Sequence, residues 1–321
     1  MPKRRFGSHI VETSNEDKVL FPESGLTKGD LIDYYVKVSD YLLPLVQERP
    51  LTLFRWPDGI EAEGFVQQAA PEYFPEWIPR VTADKRSGGS ITHAMAEKAA
   101  DLAFFADQGT VTLHAWLSRK DRPDHPDTLV FDLDPPDDDS GTSRHVEADG
   151  SFSVVRRAAR DLRALLEEIG LAAYVKTSGS RGLHITSPLR RAHTFAEARS
   201  VARSLAKLLA HRNPDLYTVE QYKEQRKGRL FLDTVRNSYA MTMATAYSVR
   251  AKPGAPVAMP LSWDEVGRSS LSPRTYTIEN AFRRLAHKQD PWEGLRSHSR
   301  TLTEPREKLK ALLDEEGLEM E

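Results

Sequence analysis

The stretch TLVFDLDPP, residues 128–136, constrains the chain more than any other. Its residues alternate, so that Leu129, Phe131 and Leu133 share one face of an extended strand while Val130, Asp132 and Asp134 share the other. Paired prolines then end the run, because proline cannot donate to a sheet ladder and holds its predecessor extended. Such a strand has to bury one face against other elements and carry its two acids at its very end. Carboxylates so close repel, and more strongly where water is partly excluded, so a positive group is expected to offset them. A divalent cation is the obvious candidate.

The flanking sequence supplies the elements against which that strand can pack. The run TKGDLIDYYVKVSDYLLPLVQE, 27–48, predicts one helix with Thr27 as N-cap and Asp30 in its first turn. Leu31, Tyr34, Tyr35, Val38, Tyr41, Leu42 and Leu45 recur in it at helical spacing. Short extended runs follow around LTLFRW and GFVQQAA, with the turn PDG between them. EKAADLAFFADQG predicts a helix stopped at Gly109, and TVTLHAWL a strand that sets His114 beside Thr112 and Trp116 on one face. Further along, SFSVVRRAARDLRALLEEIG reads as a helix with Val154, Val155, Ala158, Leu162, Leu165 and Ile169 inward. AAYVKTSGSRGLHITSP reads as strand, glycine-rich turn and strand. TFAE, 194–197, is a capping box opening a helix through about Leu209, and RLFLD is a short strand ending on a third acid, Asp233. YAMTMATAYSVRAKPG is expected to be extended, and the last 40 or so residues helical and charged. Strands and helices alternate irregularly, which predicts an α+β fold with a mixed or antiparallel sheet.

With 321 residues, 39% hydrophobic and 29% charged, the chain can form one large domain or two intimately joined ones. No apolar run reaches the roughly 18 residues that cross a bilayer, and MPKRRFG has no apolar stretch behind its charges. The absence of cysteine excludes disulfides and thiolate metal sites, so a cytoplasmic, nucleoid-associated protein with no membrane partner is expected. A net charge of −2 does not announce a nucleic-acid binder. Basic residues nevertheless cluster in PKRR, SPLRRAH, EQRKGR and SVRAKPG, which leaves a locally basic groove open.

An Asp-x-Asp pair serves several chemistries. It can simply close a strand with an acidic turn. Phosphatases of the haloacid-dehalogenase type want Thr or Val two residues after the second Asp, where this chain has Pro136. Glycosyltransferases use the pair to hold a metal–sugar-nucleotide, and nucleotidyltransferases join it to a distant third acid, holding two cations. Asp233 is a natural third acid. TSGSRGLHI, taken alone, is a hairpin turn; yet Ser178, Arg181 and His184 surround it with donors suited to phosphate oxygens, and glycines allow close approach to an anion.

In this order, FDLDP, TSGSRGLH and RKGRLFLD resemble the three motifs of the archaeo-eukaryotic primase superfamily. More narrowly they resemble the polymerase domain of bacterial ligase D, a likeness that extends through SNEDKVLFPESGLTKGDLIDYY, RPLTLFRWPDG, LHAW and YSVR, roughly residues 9 to 270. With no ligase or nuclease motif beside them, they are most similar to a stand-alone member, such as the primase-polymerases associated with ligase C in actinobacteria. The resemblance implies a primase fold with an RRM-like catalytic sheet packed on an N-terminal α/β unit, both sharing one cleft. It places the catalytic domain at 1–295 and a charged helical segment at 296–321.

The same resemblance makes Asp132, Asp134 and Asp233 ligands of two divalent ions, Mn²⁺ or Mg²⁺. It makes His114, Ser178, Arg181, His184, Arg226 and Arg250 contacts of an incoming NTP or dNTP. Asn15, Lys18 and Lys28 match a pocket for the 5′-phosphate of gapped or broken DNA, and Lys28 adjoins the helix N-terminus at Thr27, where free N–H groups favour an anion. Arg181 stands where Lys is common, Phe54 where a basic residue is, Val66 where an aromatic is, and Arg236 where Gln is. The implied activity is template-directed nucleotide addition at short gaps or broken ends, favouring ribonucleotides, with a DNA ligase and an end-binding protein as partners. A primer-independent primase and a catalytically idle end-binding module are the alternatives.

Overall fold

A computed structural model describes residues 2–135 and 150–321. Pro136 and the acids at 137–139 lie outside the described residues. The chain divides into two units built from interleaved segments. The first comprises Met1–Pro123, Thr242–Met259 and Arg274–Lys288; the second comprises Asp124–Met241, Pro260–Pro273 and Gln289–Glu321.

The first unit is built on a four-stranded antiparallel sheet in the order Thr242–Ala244, Thr110–Trp116, Leu51–Arg55, Phe65–Gln67. Helices Lys28–Lys37 and Ala99–Asp107 pack against each other beside it. The single helix expected over 27–48 is two. Lys28–Lys37 ends at Val38, and Ser39–Val46 restarts with Pro44 inside it, where the missing N–H removes a helical hydrogen bond. Thr27 caps the first helix as expected, in a capping box with Asp30. Tyr34 and Tyr35 are buried, and their hydroxyls donate to the carbonyls of Tyr247 and Val111 at 2.8 and 2.7 Å. Two phenols can enter a core only with such partners. The hairpins Lys3–Phe6/His9–Glu12 and Arg80–Asp84/Ser90–Ala94 have mostly open faces, so no strong apolar alternation marks them in the sequence.

The second unit carries the six-stranded sheet. Its order is Tyr217–Thr218, Leu230–Asp233, Thr128–Asp134, Leu183–Pro188, Tyr174–Thr177, Pro260–Leu261. The Tyr217–Thr218/Leu230–Asp233 pair is parallel and the other neighbours antiparallel, which makes the sheet mixed. Leu129, Phe131 and Leu133 have no exposed surface, and helices Gly150–Glu168 and Phe195–Arg212 pack on their strand. Each such side chain contributes about 1.5–3 kcal/mol by leaving water, so the apolar half of the opening motif anchors its acidic half. Thr194 and Glu197 form the expected capping box, and the helix runs three residues past Leu209, to Arg212. The segment 296–321 is helical but not set apart: Thr303–Glu315 packs on Phe195–Arg212 with Leu309 and Leu313 fully buried. Among the described residues, no helix is long and apolar enough to cross a membrane.

Candidate active site

Strand register in the second unit aligns four polar residues in one row. Lys176 pairs with His184, His184 with Asp132, and Asp132 with Asp233. Directly opposed residues point to the same face with Cβ atoms about 4.5–5.5 Å apart, so the row lies on the face opposite Leu129, Phe131 and Leu133. His184 Nε2 lies 3.3 Å from Asp132 Oδ1, and Lys176 Nζ lies 2.5 Å from His184 Nδ1. Asp134 sits one pleat further along, opposite Phe231.

Opposed acids carry an electrostatic cost. Burial pushes the Asp233 carboxyl above the usual carboxylate range, and the charge of Asp132 adds to the rise. The Val235 N–H, which donates to Asp233 Oδ1 at 2.7 Å, and the charges of Arg236 and Arg226 oppose it. Arg226 has its guanidinium 4.1 Å from the centre of the Phe231 ring and donates to the carbonyls of Glu220 and Gln221. The cation expected beside the acids therefore includes two arginines, one of them the departure at Arg236.

The glycine-rich turn is held in an unexpected way. Ser178 is buried, and its Oγ accepts from the N–H groups of Ser180, Arg181 and Gly182 at 3.1, 3.1 and 2.9 Å. Those amides, read from sequence as open to a phosphate, are engaged by the serine at the centre of the turn. Gly182 is required for a different approach: a Cβ there would lie 1.9 Å from the Leu133 carbonyl and 3.0 Å from Asp134 Oδ1. The turn is thus pressed against the acidic end of the neighbouring strand, and Arg181 Nη2 donates to the Pro135 carbonyl at 3.2 Å.

The carboxylates are hard oxygen donors of the kind Mg²⁺ and Mn²⁺ take, and the repulsion raising Asp233 is one that a cation would relieve. Among the described residues no three His, Asp or Glu side chains are grouped closely enough to hold an ion. The arrangement is a facing pair with a neighbour, which fits ions completed by substrate phosphates rather than caged by protein alone.

The remaining residues lie in the first unit. His114 faces the Phe54 ring at 4.2 Å between centroids, and its Nδ1 is 3.3 Å from Thr242 Oγ1. Phe54 is the register partner of Val66, so two departures from the family pattern are neighbours on one sheet. The backbone of Arg250 donates to the Pro256 carbonyl. Asn15, Lys18 and Lys28 do come together, since Lys18 N–H donates to the Asn15 carbonyl and Lys28 N–H to the Lys18 carbonyl. Their polar groups are otherwise occupied. Lys28 Nζ is buried against Asp107 Oδ1 at 2.9 Å and Ser14 Oγ at 3.1 Å, while Lys18 pairs with Asp58 at the surface. The first amides of the helix, expected to be open, donate to the Lys18 and Glu16 carbonyls and to Thr27 Oγ1.

Two structural residues were not legible in advance. Lys176 completes the polar row. Asn237 clamps the strand of Asp132: its Oδ1 accepts from Val130 N–H at 2.9 Å and its Nδ2 donates to the Val130 carbonyl at 2.6 Å. Its four-residue distance from Asp233 was the one available signal.

The chain matches the model of the LigD primase-polymerase domain over residues 27–292. It is 32% identical over 284 residues to the bifunctional non-homologous end joining protein LigD of Bacillus subtilis strain 168, covering 88% of this chain and 43% of that protein. With the multifunctional non-homologous end joining DNA repair protein LigD of Mycobacterium tuberculosis H37Rv, identity is 33% over 294 residues, covering 89% and 37%. The chain thus spans less than half the length of these relatives. Among solved structures, the polymerase domain from Mycobacterium tuberculosis ligase D in complex with DNA superposes with a TM-score of 0.81 at 31% identity, covering 90% of this chain and 99% of that one. The fold is accordingly the archaeo-eukaryotic primase fold. Since the match runs from the Thr27 cap through the whole acid row and beyond, the chain belongs to the family of LigD primase-polymerase domains.

Proposed function

We propose that the protein is a template-directed nucleotidyltransferase that adds nucleotides to a primer 3′-OH at short gaps or broken ends during end-joining repair. The observation that carries this reading is the opposed pair Asp132 and Asp233, with Asp134 one pleat on, in a member of a polymerase-domain family. Asp132, Asp134 and Asp233 would hold divalent Mg²⁺ or Mn²⁺. Bound there, the cations lower the pKa of the 3′-OH and offset the charge of the triphosphate. The chain's own groups do the rest. Arg226 and Arg236 place positive charge beside Asp233, where negative charge builds on the transferred phosphorus. Ser178 and Gly182 set the turn against the acids and bring Arg181 over the strand end, and pyrophosphate leaves. Ribonucleotides are the favoured substrates, gapped DNA with a downstream 5′-phosphate the favoured template, and a DNA ligase and an end-binding protein the expected partners; these rest on family membership.

Primer extension on a gapped duplex, with Mg²⁺ or Mn²⁺ and matched NTP or dNTP, tests the reading. Addition of templated nucleotides, faster with NTP, supports it. Binding of the duplex with no addition under either metal would leave an idle end-binding module, and a dinucleotide made on an unprimed strand would leave a primase.

A further inference from the structure

We infer that Lys176 is a positioning residue: its ammonium fixes the imidazole of His184 as the Nε2–H tautomer, the donor that holds Asp132. The inference deepens the proposed function, since it rests on Asp132 being one of the reacting acids. An ammonium has three donors and no acceptor, so the His184 nitrogen 2.5 Å from Lys176 Nζ has to accept. That nitrogen is Nδ1, and the ring hydrogen is then on Nε2, which lies 3.3 Å from Asp132 Oδ1.

Three features make this more than a chance contact. The residues are successive register partners on three adjacent strands, so ladder hydrogen bonds fix the spacing of the row. Lys176 is 2% exposed and His184 4%, so water cannot freely take the place of either partner. Finally, an acid next to a second acid has every reason to turn away, and an N–H donor on its other side is what holds its carboxylate in plane. Remove the ammonium, and the ring can carry its hydrogen on Nδ1 and present a bare nitrogen to a carboxylate. Asp132 then loses the donor that orients it. The effect would reach the reaction through His184, without Lys176 touching substrate.

The test is a ¹⁵N–¹H spectrum of histidine-labelled protein near pH 7.5, with the His184 ring assigned by its loss in His184→Gln. Wild-type His184 is expected as the Nε2–H tautomer, a measurement that needs no folded variant. Lys176→Met, similar in length and apolar, should shift the ring to Nδ1–H or to a mixture, and Lys176→Arg should restore the wild-type pattern. In single-turnover addition, Lys176→Met should lose about 10–100-fold in rate at saturating nucleotide with KM little changed, the range seen when the support of a ligating group is removed. A wild-type Nδ1–H ring, or a Lys176→Met spectrum like wild type, would overturn the inference. A wild type that adds no nucleotide would overturn the proposed function instead, and the spectra would still decide the role of Lys176.

Discussion

Lys28 and Asp107 form an ion pair at 2.9 Å with side chains only 7% and 5% exposed, in the loop where sequence placed a phosphate pocket. A buried charge that loses its partner is expensive, so Lys28→Ala should destabilise the protein by about 3–5 kcal/mol. Lys18→Ala, which breaks a surface pair with Asp58, should cost no more than about 1 kcal/mol. Denaturant unfolding of the two variants checks this, and equal small losses would contradict the buried pair.

The same contrast selects the proper probe of the pocket. A 5′-phosphate on the downstream strand of a gap should tighten binding, and Lys18→Ala alone should reduce that gain in a salt-dependent way while leaving the fold intact. Competition binding of phosphorylated and hydroxyl gaps at moderate salt measures it. Identical wild-type affinities would remove the pocket from the proposal.

Gly182 gives a sharper steric prediction. Because a Cβ would fall 1.9 Å from the Leu133 carbonyl, Gly182→Ala has to displace the turn from the acidic strand end. Backbone displacement of this kind belongs among the large effects, about 2–4 kcal/mol of stability. Nucleotide addition should fall even at temperatures where the variant is folded. Near-normal activity would show that the turn does not position the acids.

Asp101 predicts a pH dependence. It is fully buried at the start of helix Ala99–Asp107, and burial raises its carboxyl from 3.8 to about 6, against the pull of the Glu97 and Lys98 amides. Its folded value is above its unfolded value, so its contribution is fully present below about pH 4 and is lost as pH rises through about 6. Asp101→Asn keeps an oxygen to accept those amides but carries no charge. Relative to wild type, it should therefore gain about 2–3 kcal/mol between pH 4 and pH 7.5, measured by urea unfolding at both values. A flat difference would contradict the assignment.

Much of the site could be read from local pattern, and what could not depends on contacts distant in sequence. Leu129, Phe131 and Leu133 alternate with the acids because one face is buried and the other is not, and that period survives in the letters. Thr27 with Asp30 and Thr194 with Glu197 are capping pairs three residues apart, equally local. Lys176, by contrast, is eight residues from His184 and 44 from Asp132, and only strand register makes them one row. Ser178 reads as a phosphate donor because its letter cannot show that three nearby amides already claim its oxygen. Lys28 reads as a free cation because Asp107 lies 79 residues away, and the break at Val38 escapes a helical period that continues across it.

Asp233 links structure to chemistry most directly. Its carboxyl is raised by burial and by the opposed Asp132, so Asp233→Asn should relieve a strain in the metal-free protein and raise its melting temperature while abolishing nucleotide addition. The decisive measurement is single-turnover addition on a gapped duplex by wild type, Asp132→Asn and Asp233→Asn, with Mg²⁺ and with Mn²⁺, alongside the melting temperature of each. The account predicts templated addition by wild type, a loss of at least about 10³-fold in both variants, and a metal-free Asp233→Asn at least as stable as wild type. Folded variants that add nucleotides at near wild-type rates would contradict it.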